Sequence, residues 1–141
     1  MNTEMQHVDE ILAQLANFTG VKDIACHRIA NGKLNPVLKT ETDQLGIERW
    51  KQVHGEKPVY ISEDPLLTSI LKERKTVIID DVATDPRSHE EFFFFGIDSL
   101  MIVPVIRGEE VEGLLIAASI GSRFAFTPGQ AAEGERLAAL L

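Results

Sequence analysis

Asp80, Asp81 and Asp85 place three carboxylates within six residues, a density that raises the possibility of a cation site. A calcium loop sets its ligands at alternate positions around a glycine that allows the sharp turn, and neither feature is present here. Asp80 therefore reads as the end of a strand and Asp85 as a helix cap. His7, His27, His54 and His89 are dispersed, with no two at i, i+4 spacing, so no local motif for a metal exists. Cys26 is the only cysteine, which excludes an intramolecular disulfide and a thiolate cluster. It alternates with Ile24 and is expected to point inward as a small apolar residue. Glu90-Glu91 and Glu109-Glu110 are adjacent pairs, and on a helix or turn such neighbours diverge rather than converge on one bond. No Ser, Cys or Lys nucleophile sits in a catalytic motif, and no glycine-rich phosphate loop is present. The residues give no basis for an enzyme.

The run Phe92-Phe93-Phe94-Phe95 is the most unusual feature of the chain. On a helix its side chains point about 100° apart and sweep most of the circumference. They cannot all enter one core, so some are expected to face the sheet and others a cavity, a partner or water. His89 precedes the run on the same expected helix and is a candidate contact for a ligand held there.

The elements that must position these residues can be read from spacing and turn chemistry. Met5, Val8, Ile11, Leu12 and Leu15 recur at helical intervals after a Thr3/Gln6 capping box, and Thr19-Gly20 ends that helix. Asn31-Gly32 separates two strands, Ile24 to Ile29 and Leu34 to Thr40, as a hairpin turn. Asp43 to Glu56 fits either a short helix or an ordered loop, and Val59 to Ile61 fits a short strand. Asp64-Pro65 and Asp85-Pro86 each combine an N-cap with a first-turn proline. The first should open a helix through Leu71, and the second a helix through the phenylalanine run to Gly96. Val77 to Asp80, Leu100 to Ile106 and Val111 to Ile120 read as strands. Pro104 predicts a bulge or an unpaired N-position in the second of these. Thr127-Pro128-Gly129-Gln130 opens a last helix with a full capping signature, and that helix runs to Leu141 without a stop signal.

Composition narrows the class of partner. The chain has 141 residues, enough for one domain with a sizeable core. A net charge of -8, with no run of basic residues, works against nucleic acid and anionic membranes. No stretch approaches the length of a membrane span, and no secretory signal is present. A cytoplasmic location is expected.

The order Val77-Ile78-Ile79-Asp80-Asp81-Val82, Asp85-Pro86, Gly96-Ile97-Asp98-Ser99 leading into Val103-Pro104-Val105, Gly113-Leu114-Leu115 and Phe126-Thr127-Pro128 resembles a GAF domain. The resemblance implies an α+β, GAF/PAS-like fold over residues 1–141, with a central antiparallel sheet of about six strands. Terminal helices would cover one face, and short helices and loops the other. It further implies a regulatory sensor domain of a bacterial signalling protein, excised from a longer chain and joined to a downstream output domain. Such a domain would bind a small-molecule effector and form a homodimer through its terminal helices, here by way of Leu12, Leu15, Leu137 and Leu141. A ligand-free dimerisation and transmission module is the alternative. The ligand site would lie over the sheet beside residues 89–99, made by His89, Phe92, Phe95, Asp98, Ser99 and Met101. No cofactor is named by these residues: the sequence lacks the signature of cyclic-GMP-binding members, a cysteine placed for bilin attachment, and the several cysteines of sulfoxide-reducing members.

Overall fold

The computed structural model describes residues 3–88, 92 and 95–141, with side chains given from residue 5 onward in the first of these stretches. Helix α1 (Thr3–Thr19) ends where Gly20 turns the chain in the left-handed region, its N–H bonded to the Ala16 carbonyl. Strands β1 (Asp23–Ala30) and β2 (Lys33–Lys39) form the expected hairpin. Asn31 and Gly32 both take positive φ, as a type I′ turn requires. The ambiguous stretch resolves into α2 (Ile47–Glu56), followed by the short edge strand β3 (Val59–Tyr60) and a 3-10 turn.

Asp64 caps α3 (Pro65–Glu73), accepting hydrogen bonds from the Leu66 and Leu67 amides. Strand β4 (Val77–Ile79) leads to β5 (Ile97–Arg107) and β6 (Glu110–Ile120), and the chain closes with α4 (Pro128–Ala138). Thr127 and Gln130 complete the capping box of α4 reciprocally. The six strands form one antiparallel sheet in the order β3-β2-β1-β6-β5-β4. No helix among the described residues is long and apolar enough to cross a membrane.

Both faces of the sheet are covered, which explains why β5 and β6 read as continuously apolar. Met101, Val103 and Val105 of β5 and Leu115 and Ala117 of β6 pack with Leu12, Leu15 and Leu137 of the terminal helices. Leu100, Ile102 and Leu114 face the other way, onto Leu66, Leu67 and Ile70 of α3. Ala25 of β1 joins Leu45, Trp50, Val53 and Phe95 in a third cluster under α2. β4 begins opposite Ile102, so β5 extends beyond it at Pro104 with β6 as its described partner. Pro104 pairs with Leu114 on one side only, and a register shift follows it between Val105 and Ile106, the kind of setting that tolerates a residue without an N–H.

Two expectations are corrected. Asp85 opens no helix among the described residues. Its carboxylate instead accepts from the Arg87 amide and guanidinium, and the same guanidinium reaches the Ile78 carbonyl. The Asp85 carbonyl accepts from the Ser88 amide, so the segment closes as a turn, and the Arg87 guanidinium ties it back to β4. The phenylalanine helix falls largely outside the described residues. The second correction concerns the leucines assigned to a dimer surface. Leu12, Leu15 and Leu137 are fully buried between the helices and the sheet, and Leu141 is half-buried. One sheet face absorbs them after all, because α1 and α4 lie side by side on it.

Candidate functional site

The parity of β1 decides what lies under α2. Ile24 and Cys26 point to the terminal helices, so Ala25 and His27 point to the opposite face. On α2, Trp50 and His54 stand one turn apart and both are buried. Packing α2 over β1 brings the imidazoles of His27 and His54 together, Nε2 to Nε2 at 3.3 Å. The Trp50 ring meets both edge-on, at centroid distances of 5.2 and 5.5 Å, and Phe95 tilts against His54.

These side chains wall a cavity of about 60 Å³ between the sheet and the α2 and α3 layer. Leu67 of α3, Leu100 and Ile102 of β5, and Ile116 and Ala118 of β6 supply most of the remaining wall. The ionisable groups there besides the histidines, among the described residues, are Asp23, Lys39 and Asp64. Lys39 Nζ lies 2.6 Å from Asp23 Oδ1, with both side chains almost wholly buried, and the Thr42 hydroxyl donates to the same oxygen. Such a pair persists because each partner offsets the desolvation of the other.

Burial governs the ionisation of the histidines. His27 is held well below its ordinary pKa, first by burial and then by His54. His54 is lowered to about 4, first by burial and then by the Lys33 ammonium. The lowered values keep both rings neutral at neutral pH, and the 3.3 Å contact is a hydrogen bond when one Nε2 carries a proton and the other is bare. His27 Nδ1 is buried with no hydrogen-bond partner, a state that costs about 1–3 kcal/mol when left uncompensated. Cys26, on the other face, is pushed up to about 11 by burial, with Arg28 opposing. Its thiol is a core group rather than a nucleophile.

Of the residues nominated from sequence, Phe92 and Phe95 line the cavity. Ser99 and Met101 lie on the opposite side of β5. The Ser99 hydroxyl donates to the Asp80 carbonyl and accepts from the Phe124 amide, so it ties two loops to the strand. Met101 packs with the terminal helices. Alternation along the unbroken stretch from Ser99 to Ile102 puts Leu100 and Ile102 on the cavity side and Ser99 and Met101 on the other. Asp98 is half-buried, and its carbonyl accepts from the Val82 amide. His89 lies outside the described residues, as do Phe93 and Phe94. His27, Trp50 and His54 were not nominated. The signals available were the alternation of His27 with Ala25 and the four-residue step from Trp50 to His54. No group of three or more His, Cys, Asp or Glu among the described residues is arranged to hold a metal.

The fold and this layout can be set beside known proteins. The GAF domain family model matches residues 6–141. The chain belongs to the GAF family. Among solved structures, the GAF domain/HD domain protein from Geobacter sulfurreducens superimposes with a TM-score of 0.80 at 17% identity, covering 96% of this chain and 86% of that one. The blue-light absorbing form of the Thermosynechococcus elongatus PixJ GAF domain gives 0.76 at 12% identity, covering 96% and 80%. A type II free methionine-R-sulfoxide reductase from Thermoplasma acidophilum gives 0.68 at 17% identity, covering 99% and 92%. No curated protein sequence matches the chain. At these identities the likeness is one of fold. The family is one of small-molecule sensor domains in signalling proteins.

Proposed function

We propose that this GAF domain is the regulatory input of a bacterial signalling protein. A small molecule enters the cavity under α2, and its presence is relayed to the terminal helices. The observation that carries the reading is the cavity itself: a mostly apolar space with a few converging polar groups, among them the unpartnered His27 Nδ1, as small-ligand sites are built. The relay has a short physical route. Leu100 and Ile102 border the cavity while Met101 and Val103, their neighbours on β5, touch the terminal-helix layer. A wall displaced by an occupant therefore shifts the seat of α4.

On this reading the domain performs no catalysis. It works in the cytoplasm, pairs as a homodimer through the outer surfaces of its terminal helices, and hands its signal to an output domain. The ligand-free transmission module is the second reading, favoured by the small size of the cavity.

Trp50 is the sole tryptophan and sits in the cavity wall, so its fluorescence reports occupancy directly. A fluorescence screen of small metabolites, followed by amide hydrogen exchange on α1 and α4, tests both halves. The expected result is a saturable change at Trp50 together with altered exchange in the terminal helices. Trp50 unmoved by every compound would favour the transmission module, and binding without a change in α1 or α4 would remove the relay.

A further inference from the structure

We infer that the site takes an uncharged molecule, apolar over most of its surface, whose one polar group docks on the His27–His54 pair. Suitable groups are a hydroxyl, an azole or a primary amide. The inference rests on the sensor reading above and adds the ligand's chemical class.

Charge is excluded first. Lys39, the cation lining the cavity, is already matched by Asp23 at 2.6 Å and also donates to the Thr40 carbonyl. Asp64 is engaged at the N-terminus of α3, accepting from two amides. A carboxylate or ammonium entering this space would lose its hydration and gain no free counter-charge from the described lining residues. Lys33 lies close enough to act on His54 and Arg28 follows His27 in β1, yet neither side chain lines the cavity.

The histidines then set the polar requirement. With Nε2 facing Nε2 at 3.3 Å, one imidazole donates and the other accepts. The donor ring keeps a bare Nδ1, and the acceptor ring carries its proton on Nδ1. Exchanging the roles exchanges the two Nδ1 characters. His27 Nδ1, buried and without a partner, can therefore present either a lone pair or an N–H. A group that both donates and accepts fits either state, and binding it selects one tautomer.

Size bounds the rest. A volume near 60 Å³ is less than half that of an engineered cavity of about 150 Å³ that holds benzene. It accommodates about three or four heavy atoms, or the polar tip of a larger molecule whose body displaces the α2 side.

The experiment uses the 141-residue chain, labelled with ¹⁵N and titrated at neutral pH with propan-1-ol, pyrazole, propionate and propylammonium. Xenon serves as an apolar probe of access. Propan-1-ol and pyrazole should move the ring-nitrogen shifts of His27 and His54 saturably and quench or shift Trp50. Propionate and propylammonium should bind at least about tenfold more weakly. His27→Leu should abolish the response at Trp50 to propan-1-ol and pyrazole while still admitting xenon. His27→Asn, which keeps an amide near the Nδ1 position, should retain it. If His27→Leu fails to fold, as judged by circular dichroism, the ring shifts of the wild type and His27→Asn decide. Charged probes binding as well as neutral ones, or xenon entering while no polar probe moves the imidazoles, would overturn the ligand class and leave the sensor reading standing. Exclusion of xenon and every other probe would overturn both.

Discussion

On the terminal-helix face of the sheet, Leu12, Leu15, Leu115 and Leu137 are fully buried, and α4 comes close enough that Gly134 has no room for a methyl without crowding Val103. On the opposite face the same strands border a cavity, a facing pair of neutral histidines and a buried ion pair. One layer brings its helix close onto the strands and buries mainly apolar side chains, whereas the other keeps space and polar groups whose burial must be compensated. The difference separates two tasks. A closely seated layer moves as a body and transmits displacement, while a layer with a void and an unsatisfied polar atom at His27 has something to gain from an occupant.

The largest effect that would test this contrast is on the ion pair. Lys39→Met leaves the Asp23 carboxylate buried without its cation and should cost about 3–5 kcal/mol in urea unfolding. Asp23→Leu combined with Lys39→Met removes both charges, and most of the loss should return. If the single substitution costs less than about 1 kcal/mol, the cavity face is wetter than its burial indicates, and the contrast weakens.

Much of the dense face was legible in the sequence, because its rules are local. The helical spacing of Ile11, Leu12 and Leu15, the Asn31-Gly32 turn and the Thr127/Gln130 capping box each act within a few residues. The cavity face depends on pairings that no local rule reaches. His27 and His54 are 27 residues apart and meet only when α2 packs over β1. The Asp85-Pro86 pattern matched that of Asp64-Pro65 and makes the same bond to the amide two residues on, but at Asp85 the chain closes as a turn that Arg87 anchors to the distant Ile78 carbonyl. Ser99 and Met101 were assigned to the cavity side of β5 but lie on the other, because a strand that is apolar on both faces does not show by alternation which face borders a cavity.

Acidification should then separate the two faces without any change of chain. His54 has its folded-state pKa depressed to about 4, so the native ring stays neutral while the unfolded ring takes up a proton below about 6.5. Its contribution is fully present above the unfolded value and is lost as pH falls from about 6.5 towards about 4. The loss amounts to something on the order of 2–3 kcal/mol. Urea midpoints at pH 7 and pH 4.5 measure it against His54→Leu, in which the drop should be smaller by that amount. An equal drop in both proteins would mean that other groups carry the acid sensitivity. The cavity would then lack the high cost of charging that the ligand argument uses.

The smallest expected effect compares one substitution on a helix from each layer. Gly55 of α2 has nothing within 4 Å of the position its Cβ would take, whereas at Gly134 of α4 that atom would sit 3.0 Å from Val103 Cγ2 and 3.4 Å from Met101 Cε. Replacing glycine by alanine inside a helix is worth up to about 1 kcal/mol from backbone entropy alone. Gly55→Ala should realise about half of that or more, since the site is exposed and near the helix end. At Gly134 the same entropic gain is opposed by overpacking, because Val103 is fully buried and has no free direction in which to yield. The net change there should be near zero or destabilising. Thermal unfolding of the two variants and the wild type gives the comparison. An equal gain at both sites would show that α4 can lift from β5 at little cost. The terminal helices would then be a loosely seated layer, and displacement of the cavity wall would not be passed on to them.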